Sequence, residues 1–346
     1  MAAVFAGPTN AYVKDHEATG KMVIDFARNV KDFSVNKYMQ VVPVKKMTGL
    51  YLNMTVEEAG RVVYTDGSDS VWGDGQPSPE GQNGLESFEY LQYLCKRYTK
   101  VVLLGDLTTD QASWNIAAQH ASIKSRQMMT LRTQLAVTEM TNTSNYDSSH
   151  RLTVSSISGN SGTWAASTTA RQDIKRSLVT GAELIMDDTL AAVSPNDMVL
   201  VINSSLAGQL SESQEIVDHI KGSPDALAQV RGELPNDNVI YGLPAKLYSF
   251  PVVVENTRKV TTKKGATTAR SQILATATPF LCSRPGGLVG VADSPNFSTG
   301  VIFAYEEMTV ETLRDNNNRR SLIRVTENLV PKVIAKASGI IYAGAV

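Results

Sequence analysis

TDQASWNIAAQHASIKSRQMMTLRTQLAVTEM, residues 109–140, is the stretch on which the fold turns. No Gly or Pro interrupts it, and Thr108, Thr109 or Asp110 can cap its start. Trp114, Ala117, Ala121, Met128, Leu131 and Leu135 recur at helical intervals and mark one face. The spacing predicts a helix over about 108–140, a rod of about 45 Å at the standard rise. Lys124, Arg126 and Arg132 fall largely off the stripe. A globular enzyme rarely builds a helix this long on so thin an apolar seam, so the segment is expected to act as a spine.

Upstream, residues 41–64 (VVPVKKMTGLYLNMTVEEAGRVVY) and 88–104 (FEYLQYLCKRYTKVVLL) are rich in β-branched and aromatic types. Between them TDGSDSVWGDGQPSPEGQNG, 65–84, is dense in Gly, Pro, Asp and Ser, the chemistry of turns. Two β-rich runs around a polar tip predict a long two-stranded excursion. Such a hairpin cannot bury both faces within its own chain and implies a partner surface. Residues 1–40 mix small, polar and charged types and read as an extended arm that needs a neighbouring surface to order it.

Downstream, 141–169 is polar and small, with a possible short strand at 151–157. A second helix is expected over about 170–190, capped by Thr168 or Thr169, with Ile174, Leu178, Ala182 and Ile185 as its stripe. After Ser194-Pro195-Asn196-Asp197, MVLVIN (198–203) is continuously apolar, the pattern of a strand buried on both faces. A helical stretch to about His219 follows, then a turn-rich region with short strands near Asn238–Tyr241 and Ala245–Ser249. PVVVENT (251–257) reads as a strand, 259–270 as a basic, polar insertion, and 273–293 as central strands. From 300 onward strand follows strand, with a turn at Asn316–Arg320. The fold class is α+β; no internal repeat is evident.

Composition narrows the functional classes. Of 346 residues, 42% are hydrophobic and 19% charged, as in an ordered globular chain. Thirty-three Lys and Arg against 34 Asp and Glu leave a net charge of -1, which gives no support to a dedicated nucleic-acid-recognition face. Cys95 and Cys282 form no CxxC pair or ligand cluster and read as reduced thiols. No apolar run is long enough to span a bilayer, and the start lacks the pattern of a secretion signal, so no membrane role is expected.

Motifs for catalysis are wanting. There is no GxxxxGK[ST], and Gly159-Asn160-Ser161-Gly162 lacks the spacing of a nucleophile elbow and reads as a surface turn. His16, His120, His150 and His219 are scattered, with no HExxH. Asp66, Asp69 and Asp74 miss the register of a calcium loop and read as a solvated hairpin tip. Asp187-Asp188 is expected as an exposed pair at a helix end, and Lys263-Lys264 and Arg319-Arg320 as solvated loops. No catalytic, cofactor-binding or metal-binding residue is nominated, and no cofactor is expected.

This order of segments resembles the major capsid proteins of tailed double-stranded DNA phages, the Hong Kong 97-like (HK97-like) fold shared with encapsulins. Residues 1–40 are similar to that family's N-terminal arm and 41–107 to its E-loop with flanking strands. TDQASWNIAAQHASIKSRQMMTLRTQLAVTEM is similar to its spine helix, and NSGTWAASTTARQDIKRSLVTGAELI, with Trp164, to its second peripheral helix. SPNDMVLVINSSLAGQL and YGLPAKLYSFPVVVENT are similar to stretches of its axial domain. The resemblance implies an arm at 1–40, an E-loop at 41–107, a peripheral (P) domain at 108–195, an axial (A) domain at 196–304, and C-terminal strands at 305–346 returning to the P domain.

It further implies a non-enzymatic protein that self-assembles into pentamers and hexamers of an icosahedral head shell around a phage genome. The implied partners are identical subunits, a portal protein, packaged double-stranded DNA bound without sequence specificity, and a separate scaffold or decoration protein. The implied location is the virion, after assembly in the host bacterial cytoplasm. Trp72, Asp74, Trp114, Arg126 and Arg132 are the expected inter-subunit contacts. Some members cross-link lysine to asparagine between subunits; no local pattern nominates such a pair here. The alternatives are an encapsulin-type compartment shell, a soluble enzyme with a site assembled from distant residues, or another virion component such as a tail protein.

Overall fold

The computed structural model describes residues 33–53, 73–75, 89–112, 115–160, 162–165, 173–221, 241, 243–263, 265–284 and 298–346. In chain order the strands and helices are β1 (Met39–Pro43), β2 (Thr48–Asn53), β3 (Glu89–Leu94), β4 (Lys96–Gly105), α1 (Asp106–Gln111), α2 (Ile116–Met140), β5 (Arg151–Thr153) and α3 (Asp173–Asp188). There follow β6 (Met198–Asn203), α4 (Ser204–Glu212), α5 (Gln214–Lys221), β7 (Lys246–Leu247), β8 (Phe250–Glu255), β9 (Arg258–Val260), β10 (Arg270–Gln272) and β11 (Phe280–Ser283). The chain closes on β12 (Gly300–Asp315), β13 (Arg320–Val333) and β14 (Gly339–Ala343). This is a mixed α+β architecture.

Two sheets organise it. One has four strands in the order β1-β12-β13-β4, the other six in the order β5-β14-β11-β6-β8-β7. The six-stranded sheet is buried on both faces, and β6 shows why. Met198, Leu200 and Ile202 pack with α3 and α4, while Val199 and Val201 meet Tyr38, Phe280 and Ile302 on the other side. An unbroken apolar run suits a strand with no wet face, as MVLVIN predicts. The α3 stripe also packs as expected: Ile174, Leu178, Ala182 and Ile185 are all buried.

The long helix departs from its expected form in two ways. First, it is not continuous from 108. α1 ends at Gln111, Ala112 is extended, and α2 begins anew at Ile116, where the Asn115 side chain accepts from the Ala118 amide at 2.9 Å. A side-chain cap of this kind starts a helix and separates it from what precedes. The resulting rod of 25 residues is about 38 Å long. Second, the buried face is not the stripe read from the sequence. Ser125, Met128, Met129, Thr133, Ala136, Val137 and Met140 are buried, while Ala117, Ala121, Leu131 and Leu135 are half-buried. Ser125 and Thr133 hide their hydroxyls by donating to the carbonyls of Ala121 and Met129, each at 2.9 Å. Polar residues satisfied in this way can face a core, so an apolar-only pattern misplaces the face.

β2 and β3 pair antiparallel from Thr48↔Leu94 to Asn53↔Glu89, the two-stranded arrangement expected of that region. Of the expected strand at 238–241 only Tyr241 is among the described residues, in a turn with a φ of 53°, and most of the tip at 65–84 lies outside them. Other expectations are refined. The helical stretch after β6 is broken at Ser213 into α4 and α5, the basic insertion is spanned by the β9–β10 pair, and of 273–293 only β11 is strand among the described residues. The turn expected at Asn316–Arg320 forms over Asn316–Arg319, since Arg320 already begins β13: Asn318 donates to both Asp315 oxygens, and Arg319 takes a φ of 43°.

Two buried carboxylates fix loops to the core. Glu255 at the end of β8 is fully buried and accepts from Ser34 Oγ (2.6 Å), Tyr38 Oη (3.3 Å) and both the amide and hydroxyl of Thr257. Glu215 on α5 accepts from the Ile174 and Lys175 amides (2.9 and 3.0 Å), capping α3 from another helix, and from Tyr248 Oη (2.6 Å). Burial, and then the bond to Glu215, push the Tyr248 phenol well up. Glu215→Ala should therefore destabilise the protein by about 2 kcal/mol in urea unfolding, since two helix-end amides and a phenol lose a charged acceptor.

Gly300 starts β12 where no side chain fits. A Cβ there would stand 2.7 Å from Met140 Sδ and 2.8 Å from Met39 Cε. Gly300→Ala is expected to cost about 1–3 kcal/mol by overpacking, with Met140→Ala in the same chain relieving part of the loss.

Candidate functional site

Among the described residues no group of three or more His, Cys, Asp or Glu is placed to hold a metal ion, and no helix is long and apolar enough to cross a membrane. Cys95 and Cys282 are both buried and free, and burial pushes both thiols up, away from reactivity. The clefts are shallow. One of about 560 Å³ is lined by Ser204, Ser205, Gln209, Glu212, Tyr241 and Arg258. Another of about 470 Å³ lies between β1, α2 and β12, with Met39, Met129 and Met308 as its walls. Neither sets a nucleophile beside a base.

What the fold does present is apolar surface on its projecting parts. On the β2–β3 hairpin the alternation of a strand splits the side chains between two faces. Tyr51 and Tyr93 turn inward, and Tyr93 stacks on Phe303 with ring centroids 4.6 Å apart. Leu50, Tyr90 and Leu94 turn outward and are 66%, 65% and 51% exposed. The four-stranded sheet repeats the pattern. Val102, Leu104 and Ile323 pack with Ile116, Ala117 and Ala121 of α2. On the opposite face the register sets Leu103, Leu322 and Leu313 abreast across β4, β13 and β12, with Leu103 and Leu313 about half exposed. Large apolar side chains grouped on exposed sheet faces mark interaction surfaces.

Of the five residues expected to make contacts, Trp72 and Trp114 lie outside the described residues. Asp74 is exposed between Gly73 and Gly75. Arg126 is half-buried on α2. Arg132, on the same helix, is only 10% exposed and forms an ion pair with the fully buried Glu327 of β13. Burial pushes the Glu327 carboxyl up, and the Arg132 guanidinium opposes the shift. The structure thus sets Arg132 into the seam between helix and sheet, on the same helix as Arg126.

Sequence reading missed His150. It is fully buried, with Nδ1 2.9 Å from the Gly339 carbonyl and Nε2 2.6 Å from Asp188 Oδ2. Asp188, expected as part of an exposed pair, is 46% exposed and has this partner; Asp187 is exposed as expected. Arg320, expected in a solvated loop, is half-buried and paired with Asp315 at 2.8 Å. Nothing local signals any of these partners, because each comes from a distant or turn-folded segment.

No family model matches the chain, and no curated protein matches it. Solved structures do. A phage-related protein of Bordetella bronchiseptica RB50 is 15% identical, with a TM-score of 0.59 over 91% of this chain and 93% of its own. The mature capsid of bacteriophage PhiM1 is 11% identical, with a TM-score of 0.55 over 92% and 88%. The capsid of cyanophage P-SCSP1u is 10% identical, with a TM-score of 0.53 over 94% and 90%. These likenesses run through nearly the whole of both partners, and at such identities they are likenesses of fold. The chain has the fold of bacteriophage capsid subunits, the class that its segment order resembles.

Proposed function

We propose that this protein is a major capsid protein, a structural subunit that assembles with identical copies into the head shell of a tailed phage. The observation that carries the reading is fold similarity to phage capsids over more than nine-tenths of the chain. It is supported by the exposed apolar faces of the β2–β3 hairpin and the four-stranded sheet, which a neighbouring copy would cover.

In this reading β2 and β3 are the base of an E-loop whose tip, with Trp72 and Asp74, overlaps a neighbour. α2 is the spine helix of a P domain at 108–195, the six-stranded sheet carries much of an A domain at 196–304, and residues 1–40 are the arm. Trp114 and Arg126 would contact adjacent subunits, and Arg132 would do so only through the cleft between β1, α2 and β12, which it lines with Met39, Met129 and Met308. The chain needs no catalytic centre, metal or cofactor for this role. Portal protein, packaged double-stranded DNA and a separate scaffold or decoration protein are its proposed partners. The virion is its proposed location, after assembly in the host cytoplasm.

Negative-stain electron microscopy of the purified protein, alone and co-expressed with its neighbouring genes, tests the proposal. Uniform closed shells, or hexamer and pentamer rings, are expected. Dispersed monomers or dimers under both conditions would sink it, and shells loaded with a protein cargo in place of DNA would favour the encapsulin reading.

A further inference from the structure

The four-stranded sheet narrows to three strands toward the turn between β12 and β13. β1 covers β12 only from Gly300 to Ala304, and β12 then continues to Asp315 beside β13. Among the described residues no strand lies on that uncovered side of β12, and none on the side of β4 away from β13. Both edges keep backbone groups open to pairing. β4 and β12 each run antiparallel to β13, and therefore in the same direction as one another.

The two edges are opposite in charge. β4 carries Lys96, Arg97 and Lys100 and no acid. β12 beyond Ala304 carries Glu306, Glu307, Glu311 and Asp315 against the single base Arg314. Glu311 and Asp315 already pair with Arg324 and Arg320, so Glu306 and Glu307 carry the contrast. The charges also match in level. Arg97, Asn328 and Glu306 lie abreast, joined by hydrogen bonds from Arg97 Nε to Asn328 Oδ1 (3.3 Å) and from Asn328 Nδ2 to Glu306 Oε2 (2.7 Å). This row ends in a guanidinium at one edge and a carboxylate at the other. Glu307 falls between Ala304, level with Lys96, and Val310, level with Lys100. Nearer the turn, Leu103, Leu322 and Leu313 form an apolar row that also reaches both edges.

We infer that the sheets of successive copies join edge to edge, with β4 of one copy laid parallel beside β12 of the next, a contact that rests on the reading of the chain as a shell subunit. A copy displaced sideways by the width of three strands brings Arg97 beside Glu306 and Leu103 beside Leu313, so both rows continue across the boundary. Regular pairing runs over Thr309–Asp315, beyond the irregular register between Ala304 and Thr309, or about 23 Å of edge at the usual rise. Two β4 edges, or two β12 edges, would set like charges against each other. The contact is therefore heterologous, the kind that generates rings.

Thr99 and Thr309 are both level with Thr326 and stand two strands apart in one chain, about 10 Å, too far for a disulfide. In the joined sheet Thr99 of one copy lies beside Thr309 of the next. A chain carrying Thr99→Cys and Thr309→Cys, followed into assemblies by electron microscopy and then oxidised, should give a ladder of covalent multimers on a non-reducing gel. The native Cys95 and Cys282 are buried. Adding Lys96→Glu and Lys100→Glu should cut the multimer yield about tenfold, because the two edges then repel; an unchanged yield would overturn the charge match. Rings or shells without bonds between chains would overturn the edge contact and leave the shell reading standing. Dispersed protein without such bonds would overturn both. Covalent dimers of either single cysteine variant alone would reveal a twofold contact and overturn the head-to-tail order.

Discussion

Arg132→Met is expected to lower the unfolding free energy of the protein by about 3–5 kcal/mol, and adding Glu327→Leu to restore most of it. The pair joins α2 to β13 with Glu327 fully buried, so removing the guanidinium strands a carboxylate in the seam. Replacing both removes the stranded charge and leaves two apolar groups in contact. The pair is itself incompletely satisfied, since Arg132 Nε and Glu327 Oε2 are buried with no hydrogen-bond partner. A double apolar variant that matches or exceeds the wild type is therefore consistent with the geometry.

The pH dependence has a definite sign. Burial raises the folded-state pKa of Glu327 above its ordinary value of 4.5. A raised carboxyl contributes stability that is present below the ordinary value and lost as pH rises through the folded one. Without Arg132 to oppose it, that loss should grow, so Arg132→Met should suffer less in mildly acidic than in mildly alkaline buffer. Urea unfolding of the two single variants and the double variant at both conditions checks this. A loss in the double variant equal to the sum of the two single losses would mean that the pair is not coupled.

Trp164→Ala is the second large effect, about 3–5 kcal/mol. Trp164 is 1% exposed and packs on Tyr342 with ring centroids 5.1 Å apart. Its indole donates to Ser177 Oγ at 3.1 Å and its amide to the Ala345 carbonyl at 3.0 Å. The ring therefore links the loop ahead of α3 to the helix itself and to the last strand. Gly181 belongs to the same device, because a Cβ there would collide with the Tyr342 hydroxyl. Trp164→Phe keeps much of the volume and loses the indole donor. Ser177 Oγ still receives Asn160 Nδ2 at 2.9 Å and donates to the Asp173 carbonyl at 2.6 Å. Phe should thus cost about 1–2 kcal/mol, well short of Ala. An alanine variant as stable as the phenylalanine one would show that the site collapses onto the space.

The amino-acid sequence by itself determined where several of the strands and helices form and which of them are buried. MVLVIN is apolar at every position and lies in a sheet covered on both faces; the α3 stripe is buried as spaced; β2 and β3 pair around a turn-rich stretch. These features rest on local periodicity and turn chemistry, which act over a few residues. Tertiary structure alone decided partnership. β1 runs parallel to β12, β4 lies against β13, and β5 against β14, each chosen from many strands of similar pattern. It also chose the buried face of α2, where Ser125 and Thr133 turn their hydroxyls back onto the helix. The Arg132–Glu327 and His150–Asp188 pairs were likewise invisible beforehand. The physical reason is common to all of them: side-chain pattern encodes how much of a segment must leave water, whereas the partner it leaves water against is set by long-range closure of the whole chain.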